Sequence, residues 1–152
     1  MLCCTAVLLA GCEAREVEKD LRIVDASTGW YDAGIVGGMN KLVPSVSLEL
    51  ENVSSREIAS VQLNAVFKRV GEEQAWGEHF VRAIDASGLA AGARTDRIVL
   101  RSTLGYTGSE ARLQMFQNTQ FVDAKVEIFG KHGRRQWVKM GELQIDRQLL
   151  TQ

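Results

Sequence analysis

The stretch LVPSVSLELE, residues 42–51, decides the fold class of this chain. Apolar and polar side chains alternate along it with a period of two, which is typical of a β-strand with one face on a core and the other in water. The apolar set is Leu42, Val46, Leu48 and Leu50, and the polar set is Ser45, Ser47, Glu49 and Glu51. We therefore predict a half-buried strand here.

The same period recurs further along the chain, in residues 61–68 and 122–128, and residues 75–84 read as an edge strand. Near the C-terminus the apolar residues change phase, because Val138 and Met140 are even-numbered whereas Leu143 and Ile145 are odd-numbered. A regular strand cannot place all four on one face. Gly141 lies between the two pairs, where a β-bulge would restore the phase, so we predict either a bulge there or two strands joined by a kink.

Turns and one helix complete the predicted architecture. Gly34–Gly38 and Lys131–Arg134 are typical of hairpin turns. Ser109–Asn118 is the helical candidate, with Ser109 as its cap and Leu113, Met115 and Phe116 facing the sheet. Many strands, frequent turns and one short helix predict an all-β fold, an antiparallel immunoglobulin-like β-sandwich with a helix near 109–118.

The N-terminus carries a different signal. Residues 1–11 contain no charged side chain, and Leu9-Ala10-Gly11 precede Cys12, after which charged residues follow at once. An apolar run that ends in small residues is typical of a signal peptide. The motif resembles the bacterial lipobox, which implies removal of residues 1–11 and attachment of lipid, including palmitate, to Cys12. More than one acyl chain gives durable membrane anchoring.

This resemblance sets the expected organisation and location. We expect a signal peptide over 1–11, a charged tether over 12–20 and a β-sandwich domain over 21–148. The protein would face the periplasm from a bacterial cell-envelope membrane. Glu13 follows the lipidated cysteine, and because Asp at that position is the inner-membrane signal in some bacteria, Glu favours the outer membrane.

A second resemblance covers roughly residues 42–100. The positions that carry it are Asn52-Val53-Ser54, Ile58, Val61, Ala65, Phe67, Gly71 and Leu89-Ala90-Ala91-Gly92. This pattern resembles the FxLYD family and related immunoglobulin-like domains of bacterial envelope proteins, in which a turn, an alternating strand and two further turns recur in the same order. The resemblance implies an exported β-sandwich and supplies no catalytic residues. Residues 102–118 read as an insertion in this pattern.

Composition and charge exclude several classes of function. With 18 Lys and Arg against 19 Asp and Glu, the net charge is -1. Charges that are so nearly balanced produce no long-range electric field that would attract nucleic acid. The two histidines, His79 and His132, are far apart in sequence, and no cysteine follows Cys12. A catalytic triad needs a histidine beside a nucleophile and an orienting acid, and a zinc site needs about four ligands, which two separate histidines do not supply. We therefore expect no enzyme activity, no metal site and no cofactor.

We expect instead a non-enzymatic module for protein interaction or assembly, with an envelope protein as its partner. Trp30, Tyr31 and Tyr106 could form the partner surface, since Trp and Tyr suit interfaces; alternatively they cover the ends of the sandwich. The rival function is a periplasmic binder of a small molecule or glycan between sandwich and helix. A basic group of Lys131, Arg134 and Arg135 is either a solvated turn or a contact for anionic lipid or polysaccharide.

Overall fold

The computed structural model describes residues 15–151. Strands dominate these residues, and both helices have only four residues each. The elements in chain order are α1 (Val17–Asp20), β1 (Leu21–Val36), β2 (Met39–Asn52), β3 (Val61–Arg69), β4 (Gly77–Ile84), β5 (Ile98–Arg101), β6 (Tyr106–Gly108), α2 (Arg112–Met115), β7 (Ala124–His132), β8 (Val138–Gln144) and β9 (Leu149–Leu150). The all-β prediction is confirmed.

The first sheet is built on the long hairpin of β1 and β2. These strands pair antiparallel from Leu21 opposite Asn52 to Val36 opposite Met39. Strands β5 and β6 follow one another along the outer edge of β2, and β9 pairs in parallel with β1 at Trp30 and Tyr31. The 16 residues of β1 span about 50 Å at about 3.3 Å per residue. We call the end where β1 begins the proximal end, and the end where the hairpin turns the distal end.

The second sheet has the strand order β4-β3-β7-β8, and all its neighbours are antiparallel. Strand β4 lies at the edge, as the sequence of residues 75–84 predicts. Along the first eight residues of both β3 and β7, buried side chains alternate with half-exposed or exposed ones. The buried sets of both sheets form one hydrophobic core. Period-two alternation gives each sheet one apolar face, and the two sheets pack with these faces against each other.

The predicted bulge at the C-terminal strand is confirmed. Ile128 lies opposite Gly141, but Phe129 lies opposite Lys139, so Met140 is the extra residue of β8. The bulge lets Val138 and Met140 pack on the same core as Leu143. The bulge was predicted at Gly141 from the switch between even-numbered and odd-numbered apolar residues, and it lies one residue away, at Met140.

The predicted helix over 109–118 is too long. Helix α2 has a single turn, it begins after Ala111, and no side chain caps it; Ser109 is exposed and follows the end of β6. Met115 and Phe116 are buried as predicted, whereas Leu113 is 64% exposed. Leu113 lies two residues before the buried Met115, which is about 200° around a helix of 3.6 residues per turn, so its side chain points away from the sheet.

Residues packed with the two sheets extend beyond the predicted 21–148. Val17 is buried, and the side chain of Arg15 donates hydrogen bonds to the carbonyl oxygens of Arg56 and Glu57. At the other terminus Leu149 and Leu150 form β9. Of the predicted tether 12–20, the described part thus lies against the sheets, while residues 12–14 are outside the described residues.

Candidate interaction site at the distal end

The hairpin tip is the most exposed apolar feature of the distal end. Gly37 and Gly38 both have positive φ, 59° and 79°, as the tightest hairpin turns require, so the predicted turn at Gly34–Gly38 is confirmed. On either side Ile35, Val36 and Met39 are 70%, 48% and 41% exposed. Single exposed apolar residues are ordinary, but a contiguous uncharged group of them is typical of an interaction site. We call residues 34–39 the apolar tip.

The segment between β5 and α2 lies against the same end of the hairpin. Strand β6 pairs with β2 from Leu42 opposite Tyr106 to Asn40 opposite Gly108. Gly105 is required at the start of this contact, because a Cβ there would overlap the carbonyl oxygen of Leu42. The sequence predicted residues 102–118 to be an insertion, and the structure uses this segment to cover the hairpin near its tip.

Polar contacts fix α2 to the hairpin. Arg112 forms an ion pair with Asp32 of β1, and Asn40 donates a hydrogen bond of 2.8 Å to the carbonyl oxygen of Glu110. The hydrogen bond from Arg112 lowers the pKa of Asp32 below its ordinary value, so the carboxylate stays charged down to more acidic pH. The pKa of Glu110 is also lowered, by its own backbone N–H and by a hydrogen bond from Asn118.

Five aromatic rings pack together beneath this covering segment. Trp30 lies at their centre, with ring centroids 4.7 Å from Phe121, 5.6 Å from Tyr106, 6.2 Å from Trp76 and 6.5 Å from Phe116. Tilted and edge-to-face pairs at these distances are favourable beyond the area that they bury. We call these five residues the aromatic cluster; it closes the distal end of the core.

The aromatic cluster corrects the predicted partner surface of Trp30, Tyr31 and Tyr106. Trp30 is 0% exposed and cannot contact a partner. Tyr106 is half-buried, and its hydroxyl exchanges hydrogen bonds with the backbone of Val122 at 3.1 and 3.2 Å. These two residues cover the end of the core, which is the structural alternative that the sequence left open.

Tyr31 lies on the other face of the same sheet, because neighbouring residues of a strand point to opposite sides. Its ring lies 3.7 Å from the guanidinium carbon of Arg101, a cation–π contact. The three predicted residues therefore do not form one surface. Val36 and Met39 do lie together as exposed cross-strand partners at the hairpin tip, and Ile35 lies beside them on the opposite face of the strand. They had a signal in the sequence, because residues 33–40 are eight consecutive residues without a charge around the turn of a hairpin.

An open groove of about 690 Å³ lies beside the apolar tip. Its walls come from β6, α2 and the segment that leads to β7, with Arg69 of β3 on one side. The lining combines aromatic and polar side chains, among them Tyr106, Glu110, Asn118 and Phe121. We call it the distal groove. A groove of this size, with both ring faces and hydrogen-bonding groups, is suited to a small ligand or to side chains of a protein partner.

The two histidines lie at different places. His79 Nδ1 lies 2.9 Å from the backbone nitrogen of Arg101, on the adjoining sheet edge, and so it takes part in a structural contact. His132 lines a separate groove at the proximal end. Across residues 15–151 no three His, Cys, Asp or Glu side chains are grouped as metal ligands.

Cys12 and the predicted signal peptide lie outside the described residues. Within residues 15–151 neither helix has the length and apolar character needed to cross a bilayer. The chain matched no protein-family model, no curated protein and no solved structure in the comparisons made.

Proposed function

We propose that the protein is a bacterial envelope lipoprotein, anchored through lipid on Cys12, whose immunoglobulin-like β-sandwich acts as a non-enzymatic interaction or assembly module. Its partner is an envelope protein that binds at the distal end. The proposed location is the periplasm-facing side of an envelope membrane, with the outer membrane favoured over the inner.

One observation carries this proposal: the first described residues and the apolar tip lie at opposite ends of β1. Arg15, the first described residue, is three positions after Cys12 and lies at the proximal end. The apolar tip, with Ile35 70% exposed, is about 50 Å away at the far end of the strand. A lipid on Cys12 would therefore leave the exposed apolar surface facing away from the membrane, where a partner is accessible.

The filled core supports an interaction module over a ligand carrier. Side chains of both sheets meet in one cluster in which Val46, Leu63, Phe67 and Ile128 have 0% exposure. The grooves found on the described residues are open to the surface. A partner of such a protein must bind at its surface, and the apolar tip carries Ile35, whose 70% exposure is the highest among the large apolar side chains of the described residues.

Site-specific photocrosslinking in cells tests this function. A photoreactive amino acid replaces Ile35 in the lipidated protein, and in a matched control it replaces Val99, which is also apolar and 41% exposed but lies on β5. We expect a discrete adduct with one envelope protein from position 35 and none from position 99. Equal labelling from both positions, or no adduct from position 35, would contradict the proposal.

Lipidation is tested separately by labelling cells with a palmitate analogue. We expect label on the wild type and none on the Cys12→Ser variant, which should also leave the membrane fraction. An unlabelled wild type would remove the anchoring part of the proposal without affecting the interaction part.

The distal groove supports a second candidate function, binding of a glycan or another small molecule. Tyr106 and Phe121 offer ring faces, and Glu110 and Asn118 offer hydrogen-bonding groups, around a volume of about 690 Å³. If this function holds, soluble envelope glycans should raise the melting temperature of the wild type, and Glu110→Gln should reduce that increase. Melting temperatures that no glycan raises would reject this candidate.

A further inference from the structure

The turn between β7 and β8 carries positive charge at the proximal end. Arg134 and Arg135 are exposed, and Lys131 is half-exposed. In the described part of the chain no carboxylate forms an ion pair with any of these three side chains. We call Lys131, Arg134 and Arg135 the basic turn. Its charge is thus available to a partner outside the domain.

The basic turn lies next to the place where the chain enters the domain. A groove of about 360 Å³ is lined by Arg15 and Val17 from the N-terminal side and by His132 and Arg135 from the turn. Cys12 precedes Arg15 by three residues, which span at most about 11 Å of extended chain. A lipid on Cys12 would therefore hold the basic turn close to the membrane surface. The separation would be comparable to the Debye length, which is about 8 Å in physiological salt and is the distance over which exposed charges still attract each other.

Nearby acidic residues neutralise the basic turn only in part. Of the three carboxylates on the segment from Glu16 to Asp20, Glu16 pairs with Lys19 and Asp20 pairs with Arg15 at 3.3 Å. Glu18 also borders the groove. The three cations of the basic turn therefore outnumber the carboxylates that remain without a pair among the described residues of this segment.

We infer that the basic turn binds the headgroups of anionic phospholipids and holds the lipidated domain upright on the membrane. This inference rests on the proposed lipid anchor. Guanidinium groups match the phosphate oxygens of a headgroup with paired N–H donors. Trp137 adds an amphipathic ring beside the turn, with Lys131 Nζ 5.2 Å from its centroid, and such rings favour the membrane–water interface. The apolar tip then points away from the bilayer.

Vesicle binding tests the inference without the covalent lipid. The full-length Cys12→Ser chain is mixed with vesicles of phosphatidylcholine alone, or with vesicles in which phosphatidylglycerol replaces part of it. We expect the chain to bind the vesicles that contain phosphatidylglycerol more tightly, and we expect this binding to weaken as salt is added. Each neutralised cation should weaken that binding about fivefold, so K131Q/R134Q/R135Q should weaken it roughly 100-fold.

The matched control removes three cations from β2 and the β5 edge of the first sheet instead. In the described part of the chain Lys41, Arg97 and Arg101 form no ion pair with a carboxylate, as is true of the basic turn. K41Q/R97Q/R101Q changes the net charge equally, and we expect it to bind the anionic vesicles within about twofold of the parent chain. Circular dichroism checks that both triple variants are folded. Equal losses in the two variants, or no preference for phosphatidylglycerol in the parent, would overturn the inference.

The palmitate label on Cys12 separates the two proposals. If Cys12 is labelled but the chain shows no preference for anionic vesicles, the inference about the basic turn is rejected and the proposed anchor stands. An unlabelled cysteine would reject the proposed anchor and, with it, the upright orientation.

Discussion

At the proximal end a buried asparagine and an arginine hold the loops by hydrogen bonds to backbone carbonyls, whereas at the distal end five aromatic rings close the core. Asn52 is 0% exposed and donates to the carbonyl oxygens of Arg56 and Leu89 at 2.8 and 2.9 Å. Trp30 is also 0% exposed, yet its Nε1 has no partner among the described residues. The proximal end depends on satisfied polar groups, and the distal end depends on apolar area.

The difference matters for binding. At the proximal end, hydrogen bonds from Arg15 fix the segment through which the chain would be anchored. The basic turn lies beside this segment. At the distal end the aromatic cluster packs inside the core, and the side chains of Ile35 and Val36 at the neighbouring hairpin tip remain exposed. One end is thus suited to a charged surface and the other to an apolar partner.

The largest expected effect comes from the distal end. Trp30→Ala removes the central ring of the aromatic cluster and leaves a large cavity, so we expect a loss of about 3–5 kcal/mol in the free energy of unfolding. Urea denaturation followed by circular dichroism measures it. Trp30→Phe keeps part of the ring contacts and should cost less. A loss below about 1 kcal/mol for Trp30→Ala would mean that the cluster does not stabilise this end.

A smaller effect is expected from the proximal end. Asn52→Ala removes two hydrogen bonds to the carbonyl oxygens of Arg56 and Leu89, each of which keeps another donor, and it leaves the backbone N–H of Ser54 without its acceptor. We expect a loss of about 1–3 kcal/mol in the free energy of unfolding. The same urea titration measures the loss. Ser54→Ala is the control, because it removes a hydroxyl but keeps the asparagine. If the two variants lost equal stability, the asparagine network would not be the main contact at this end.

The smallest expected effect concerns the ion pair that fixes α2. Asp32→Asn should lower the free energy of unfolding by about 0.5 kcal/mol at neutral pH, as is typical of partly exposed pairs. Because Arg112 lowers the pKa of Asp32, the stabilisation is present above the ordinary carboxyl pKa of 3.8 and is lost as the pH falls through the lower, folded-state pKa.

The measurement compares wild type and Asp32→Asn by denaturation at neutral pH and at about pH 3. We expect the difference in stability between them to shrink at the acidic pH. A difference that does not change between the two pH values would show that the charge of Asp32 contributes nothing.

The strands were predictable from the sequence because each depends on local alternation. Val61, Leu63 and Phe67 alternate along β3, and all are fully buried. The phase change around Gly141 located its bulge for the same reason. The bulge between Val24 and Ser27 in β1 has a similar signal, since Leu21 and Ile23 are odd-numbered whereas the buried Thr28 and Trp30 are even-numbered, but we did not predict it.

The distal end was less predictable because its contacts join distant parts of the chain. Trp30 has few apolar neighbours in sequence, and the rings of Phe116 and Phe121 that bury it lie some 90 residues away. The length of α2 was overestimated because good helix formers, such as Leu113, do not reveal where tertiary contacts end. The apolar tip was visible in the sequence as a turn, but its exposure depends on how far the hairpin extends past its neighbours.

The most direct test of the central claim is the height of each end above the membrane. A dye is attached to Cys introduced at Ile35 or at Gln136 in the lipidated protein, and energy transfer to a dye in the bilayer surface is measured. We predict efficient transfer from position 136 and weak transfer from position 35, which should lie about 40–50 Å higher. Equal transfer from the two positions, or stronger transfer from position 35, would contradict the account.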